Sequence, residues 1–360
     1  MIIQRYLLRD ILATFAGVAL LLSLIFLSGT FVRILSEAAA GTYPATVVLK
    51  LFALKGIGNL VFILPLAFFL SVLLALGRFY RDSEMAVLAA CGIGPGRIYE
   101  VVGKLAVVVA VLLAILAFYF APWAEERSYQ ILDQAGARSE LDGLAAGRFN
   151  KVGVQGELVY VESISRDRKT LDNVFATASV DGRRALLSAA HARQQVDPDN
   201  GARYLVFFDG HRYEGDPGEA NYKVISFREH GIRLVTRDVI ASARPRYAFT
   251  TEHLWRSTQP GDQAELQWRI AVPITTILLG LLAVPLSKSS PRDGRYGKLF
   301  VGILVYIVYN NLLSMAKSGL AKGEVRPDVG LWWVHLALVA LLGVIIWRQQ
   351  RLRGPRRVRT

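Results

Sequence analysis

The chain has 360 residues, 53% of them hydrophobic and only 20% charged, yet 42 Lys and Arg against 29 Asp and Glu give it a net charge of +13. The apolar content and a mean hydropathy of +0.35 exclude a disordered chain, 31 glycines exclude a collagen-like one, and a single cysteine excludes a disulfide scaffold. Residues 123–267 carry 19 basic and 21 acidic residues and the remainder 23 and 8, so the excess positive charge coincides with the most apolar stretches; a membrane fits this, and nucleic-acid binding does not.

The first apolar run, Ile11–Val32, has 22 residues and no charged side chain. The core of a secretory signal is roughly 7–15 residues, so this run is expected to remain as a membrane span. Gly56–Gly77 is the second span, and its Pro65 is tolerable because neighbouring helices can satisfy the carbonyl it frees. A cytoplasmic loop, 78–100, follows. In it Asp82 or Ser83 can cap a helix, Glu84 suits the positive N-terminal end, and Gly92 with Gly94-Pro95 stops it. The short Ala-rich helix so defined, about two to three turns, is either a plain connector or a coupling helix seated in a cleft of a cytoplasmic motor. Leu105–Pro122 is the third span.

A polar helical stretch, about 124–146, leads into short alternating runs that read as strands: Leu158–Ile164, Val174–Val180, Ala185–Val196, Arg203–Phe208, Tyr222–Phe227 and Gly231–Val235. Asp181-Gly182, Asp197–Gly201, Asp209-Gly210 and Gly215–Gly218 read as turns between them. This spacing predicts a sandwich or jelly roll lined by Leu158, Tyr160, Phe207 and Tyr222.

Three further spans follow: Ile270–Ser287, Leu299–Ala316 and Val329–Trp347. With the amino terminus inside, the short inner segments and tail hold 16 basic residues and the short outer loops 6, so both termini are expected in the cytoplasm and the β domain outside. The division is 1–122 with spans one to three, 123–268 as the outer domain, and 269–360 with spans four to six and a basic tail.

Familiar catalytic patterns are missing. The five histidines have no metal-ligand spacing, no G-x-S-x-G occurs, and Gly297-Lys298 fails as a P-loop because position 292 is Arg and 299 is Leu. None of the six runs contains an acidic residue, which disfavours ion-coupled transport, although Asn310, Asn311 and His335 leave it open. At the outer ends of spans stand Arg33, Lys317 and Lys322. Each alone reads as a snorkelling anchor; as a set they suit lipid phosphates.

The whole chain resembles the LptF/LptG family of lipopolysaccharide export permeases. The residues that carry the resemblance are Met1–Arg9, Ser83–Gly92, Glu265–Ile270, and Val284–Ser287 with Pro291–Arg295. The Ala90-Cys91-Gly92 ending and the short amino terminus lie nearer the LptF branch than the LptG branch. The resemblance implies an α-helical membrane protein with six transmembrane helices and a periplasmic β-jelly-roll inserted between helices 3 and 4, in the bacterial inner membrane. It implies a non-catalytic permease subunit that extracts lipopolysaccharide from the outer leaflet and passes it through the jelly roll toward a periplasmic bridge. Its partners would be an LptG-like permease, an LptB-like ATPase dimer and an LptC-like bridge protein. The chain would hold no cofactor, with ATP and magnesium on the ATPase. Asp82, Ser83, Glu84, Met85 and Leu88 would form the ATPase-coupling helix, and Arg33, Lys317 and Lys322 would meet lipid A phosphates. The competing reading is a mechanotransmitting subunit that moves a periplasmic partner without carrying lipid.

Overall fold

Among the described residues of the computed structural model, six helices are long and apolar enough to cross a membrane: Ile3–Ala39, Ala45–Arg81, Pro95–Ala135, Pro260–Leu286, Gly297–Ala321 and Trp332–Gln349. An antiparallel six-stranded sheet lies between the third and fourth in the chain, so this is a helical membrane protein with an inserted β domain. The structure describes residues 2–40, 43–138, 146–152, 157–165, 170–180, 183–196, 203–215, 223–234, 244–288 and 297–351. Two compact units result, one of Met1–Val32, Phe52–Ser128 and Arg244–Thr360, the other of Arg33–Leu51 and Tyr129–Ala243.

The helices are α1 (Ile2–Ala39), α2 (Val48–Arg81), α3 (Glu84–Ala90), α4 (Pro95–Ile115), α5 (Ala121–Arg138), α6 (Thr251–Arg256), α7 (Pro260–Leu286), α8 (Gly297–Ala321) and α9 (Trp332–Arg351). The core of the first unit is α2, α4 and α7, with Phe68, Phe69, Val102, Ala106, Leu279 and Leu282 all fully buried. Lipid tails are as apolar as leucine, so helices in a bilayer hold together by close packing. Glycine provides it here: a Cβ on Gly280 of α7 would stand 2.6 Å from Phe68, and one on Gly302 of α8 2.8 Å from Leu73.

The third span does not stop at Pro122. A π-helical turn, Leu116–Phe120, joins α4 to α5, and the helix runs on to Arg138. Pro122 has no N–H to offer the carbonyl of Phe118 one turn back. Thr251 of α6 makes up the loss, its hydroxyl donating to that carbonyl at 2.6 Å.

In the second unit β1 (Phe149–Val152), β2 (Glu157–Ile164), β3 (Thr170–Val180), β4 (Arg183–Val196), β5 (Arg203–Glu214) and β6 (Lys223–Leu234) pair consecutively. One expected turn is not a turn. Asp209-Gly210 lies inside β5, with Leu205–Val206–Phe207 before it and Arg212 after it still paired to β4. The ladder skips one pair at the same rank in four successive junctions: Glu162 with Asn173, Asn173 with Ala190, Ala190 with Asp209, and Asp209 with Arg228. Asn173 and Asp209 have φ of 46° and 50°, the left-handed region that Asn and Asp tolerate best. Across this crease the inward phase slips by one residue on β2, β3, β4 and β5. Val159 and Val161 give way to Ile164, Leu171 to Val174, Leu187 and Ala189 to Ala192, and Phe207 to Gly210. Each junction skips one residue on both strands and the register is the same on either side, so this is a crease running across the sheet and not a bulge, and one face stays buried on both sides of it. The lining therefore differs from expectation. Phe207 is buried, but Leu158 and Tyr160 sit on the opposite parity from Val159 and Val161, and Tyr222 lies outside the described residues.

Candidate functional site: the coupling helix and the rim cations

Helix α3 forms where expected, but neither Asp82 nor Ser83 caps it with a side chain. Ser83 adopts a left-handed conformation (φ 62°) and contributes its carbonyl to Ala86 and Val87, while Asp82 pairs with Arg81 at 3.2 Å. The other end closes as a Schellman motif. Gly92, at φ 82°, donates to Ala89, Ile93 donates to Leu88, and Pro95 opens α4. Met85 is buried in the helical core and Leu88 packs against it, so these two seat the helix. The exposed face presents Ala86, Val87, Ala89 and Ala90, with Val87 62% exposed. Glu84 stands at its edge, accepting from the Tyr6 hydroxyl at 3.1 Å. The arrangement is a small apolar ridge with one carboxylate, anchored from behind.

The three cations expected at outer ends of spans differ in their surroundings. Arg33 is exposed on α1 in the second unit, which also holds Tyr43. Tyr43 there is buried and donates to the Ile34 carbonyl at 2.9 Å and to Glu37 at 3.2 Å. Burial and the Glu37 carboxylate push its phenol up to about 12, against the pull of Arg33. Lys322 is exposed in the turn after α8. Lys317, expected as an isolated cation, is not one: its ammonium lies 2.7 Å from Glu265 Oε2 and 4.7 Å from the centre of the Trp268 ring.

Glu265 belongs to a buried charged face that begins one helical stretch before the apolar run at Ile270. α7 starts at Pro260, so Asp262, Glu265 and Arg269, spaced i, i+3 and i+7, share one side and are 2%, 6% and 3% exposed. Arg269 approaches Glu265 at 3.5 Å and donates to the Thr251 hydroxyl and the carbonyls of Tyr247 and Phe249. Asp262 accepts from Arg246 at 3.1 Å and from Ser257 at 2.6 Å. Gln267 bridges the Pro327 carbonyl and the Leu331 amide. One carboxylate between two cations leaves the Arg269–Glu265–Lys317 triad with a charge of +1, and its solvent-facing member is Lys317, whose side chain is 32% exposed. The spacing in the sequence could have revealed this face; the apolar run beginning at Ile270 obscured it.

His335 is an interhelical hydrogen-bonding group. Tyr309 of α8 joins its Nδ1 at 2.7 Å and Thr275 of α7 at 3.0 Å, all three buried, while Asn311 bonds within its own helix. Among the described residues no group of three or more His, Cys, Asp or Glu is disposed to hold a metal ion.

The family profile described as "Lipopolysaccharide export system permease LptF/LptG" matches residues 5–348. The chain is 29% identical over 357 residues to the lipopolysaccharide export system permease protein LptF of Escherichia coli K12, with 96% of this chain and 95% of the relative covered. The same figures hold for LptF of Shigella flexneri.

Proposed function

The chain belongs to the LptF/LptG family of lipopolysaccharide export system permeases, and from that premise we propose that it is the permease subunit of an ABC-type exporter that lifts lipopolysaccharide out of the outer leaflet of the inner membrane. The family match across residues 5–348 carries the reading. In this scheme the chain pairs with an LptG-like permease, an LptB-like ATPase dimer supplies ATP and magnesium chemistry, and an LptC-like protein receives the lipid from the periplasmic β domain. Both termini lie in the cytoplasm, and the chain itself carries no cofactor and catalyses no reaction.

Physical chemistry supports the division of labour. Each methylene of an acyl chain withdrawn from a bilayer costs about 0.8 kcal/mol, so a multi-acyl lipid needs apolar surroundings and an external energy source. The interior of the β domain, built from Val159, Val161, Leu171, Val174, Leu187 and Phe207, is a buried apolar core, the chemistry that a domain receiving acyl chains needs. On α3 the Ala86–Val87–Ala90 ridge, with Glu84 beside it, is the face offered to the ATPase. Arg33 and Lys322 are exposed cations for phosphate, and Lys317 contributes the solvent-facing charge of its triad.

Mass spectrometry of the gently solubilised complex tests the reading. Lipopolysaccharide, a second permease and an ATPase should be retained, and Arg33→Glu should lower lipid occupancy several-fold while leaving the proteins together. A complex that retains its proteins but never lipopolysaccharide would sink the lipid-carrying role.

A further inference from the structure

The foot of α1 touches every element of the cytoplasmic loop. Tyr6 donates to Glu84 of α3 at 3.1 Å, and its ring packs on the fully buried Phe79 of α2 with centres 5.5 Å apart. Asp10 accepts from Arg78 of α2 at 2.8 Å. Gln4, its amide oxygen turned toward the first turn of α4, accepts from Arg97 at 2.8 and 2.9 Å. Between these polar ties Leu7 and Ile11 are buried to 1% and 0% exposure.

Above the foot the grip is thin. The most apolar 18-residue window of α1 is only 6% buried. Along the shaft Phe15 stands edge-on to Phe68, Phe31 lies against Phe52, Asn59 donates to Thr30 at 2.9 Å, Val18 and Leu22 pack partly buried against the core, and Leu27 lies beside Gly56. A continuous helix transmits displacement along its axis because its backbone ladder resists bending. Gripped closely at one end and only thinly packed along the shaft, α1 follows its foot at small cost in broken contacts.

We propose that Tyr6, Asp10 and Gln4 are positioning residues through which movement of α3 is passed to α1. The inference rests on the reading of α3 as the ATPase-contacting helix. Glu84 can serve both sides at once, since a carboxylate accepts several hydrogen bonds and Tyr6 occupies only Oε2. A shift of Glu84 toward or away from the ATPase therefore drags the Tyr6 phenol, and the Asp10–Arg78 pair fixes the helix against α2 as it turns. The relevant step for export is the coupling of hydrolysis to lipid movement, not hydrolysis itself.

The test uses the complete complex in proteoliposomes, comparing Tyr6→Phe, Asp10→Arg, the exchange Asp10→Arg with Arg78→Asp, and Glu84→Ala. Tyr6→Phe should keep ATPase retention and hydrolysis at the parent level and lower lipopolysaccharide released per ATP by about fivefold, the scale of one hydrogen bond. Asp10→Arg should lower release at least as much, and the exchange should restore it. Glu84→Ala should lose the ATPase itself. Unchanged ATPase retention in Glu84→Ala would remove the reading of α3 and this proposal with it. Loss of the ATPase there, with release per ATP at the parent level in both Tyr6→Phe and Asp10→Arg, would overturn the transmission alone. An exchange that inserts normally without restoring release would overturn the role of the Asp10–Arg78 pair.

Discussion

At Glu265 two cations share one carboxylate, Arg269 from the same helix and Lys317 from α8. Glu265 and Arg269 are almost wholly buried, so neither can lose its partner cheaply: breaking such a pair from one side costs about 3–5 kcal/mol. Glu265→Gln keeps the shape and removes the charge. It should lower the melting temperature of the detergent-solubilised chain by several degrees, whereas Lys317→Ala, at a partly exposed site, should cost much less. Equal melting of the two variants would show that the triad contributes nothing as a unit. This is also where the sequence was least legible. Lys317 and Glu265 are 52 residues apart, and only tertiary packing of α8 on α7 joins them. Glu84, by contrast, was readable as the acidic residue at the start of a short helix, while its partner Tyr6, 78 residues away, was not.

Among the elements, the six spans were readable because hydrocarbon thickness sets a minimum length that the sequence reports directly. The polar helix expected at about 124–146 is present as α5, but the start of α7 at Pro260 was not readable, since polar and charged residues extend a helix beyond the bilayer once caps and neighbours satisfy them. The strands failed in an instructive way. Breaks placed before Val174, after Phe208 and between Phe227 and Gly231 all fall at the crease, where the alternation slips although pairing resumes. A left-handed Asp beside Gly is chemically the same in a turn and in the crease of a continuous strand. Here Gly210 is required by space, because a Cβ would stand 2.4 Å from the Ser188 carbonyl. Asp209→Val, a β-branched residue at φ 50°, should destabilise the sheet by about 1–3 kcal/mol, and Asp209→Asn should be nearly neutral. Hydrogen exchange in strands β4–β6 of the full chain measures both; indistinguishable protection would contradict a strained crease.

For the whole molecule, the charge partition that opened the sequence implies an orientation, and the single cysteine provides its test. Cys91 is exposed at the end of α3. A membrane-impermeant thiol reagent should leave it unmodified in intact spheroplasts and modify it in inverted vesicles washed of peripheral protein. Modification in spheroplasts would reverse the proposed topology. The β domain carries a different long-range constraint. Since β2, β3, β4 and β5 count their inward residues from the same crease, deleting one residue between crease and hairpin would turn one wing of a single strand inside out and leave its neighbours unchanged. Length variation among related chains should therefore collect at the hairpin tips, and a graft of a foreign loop should be tolerated there and nowhere along the strands.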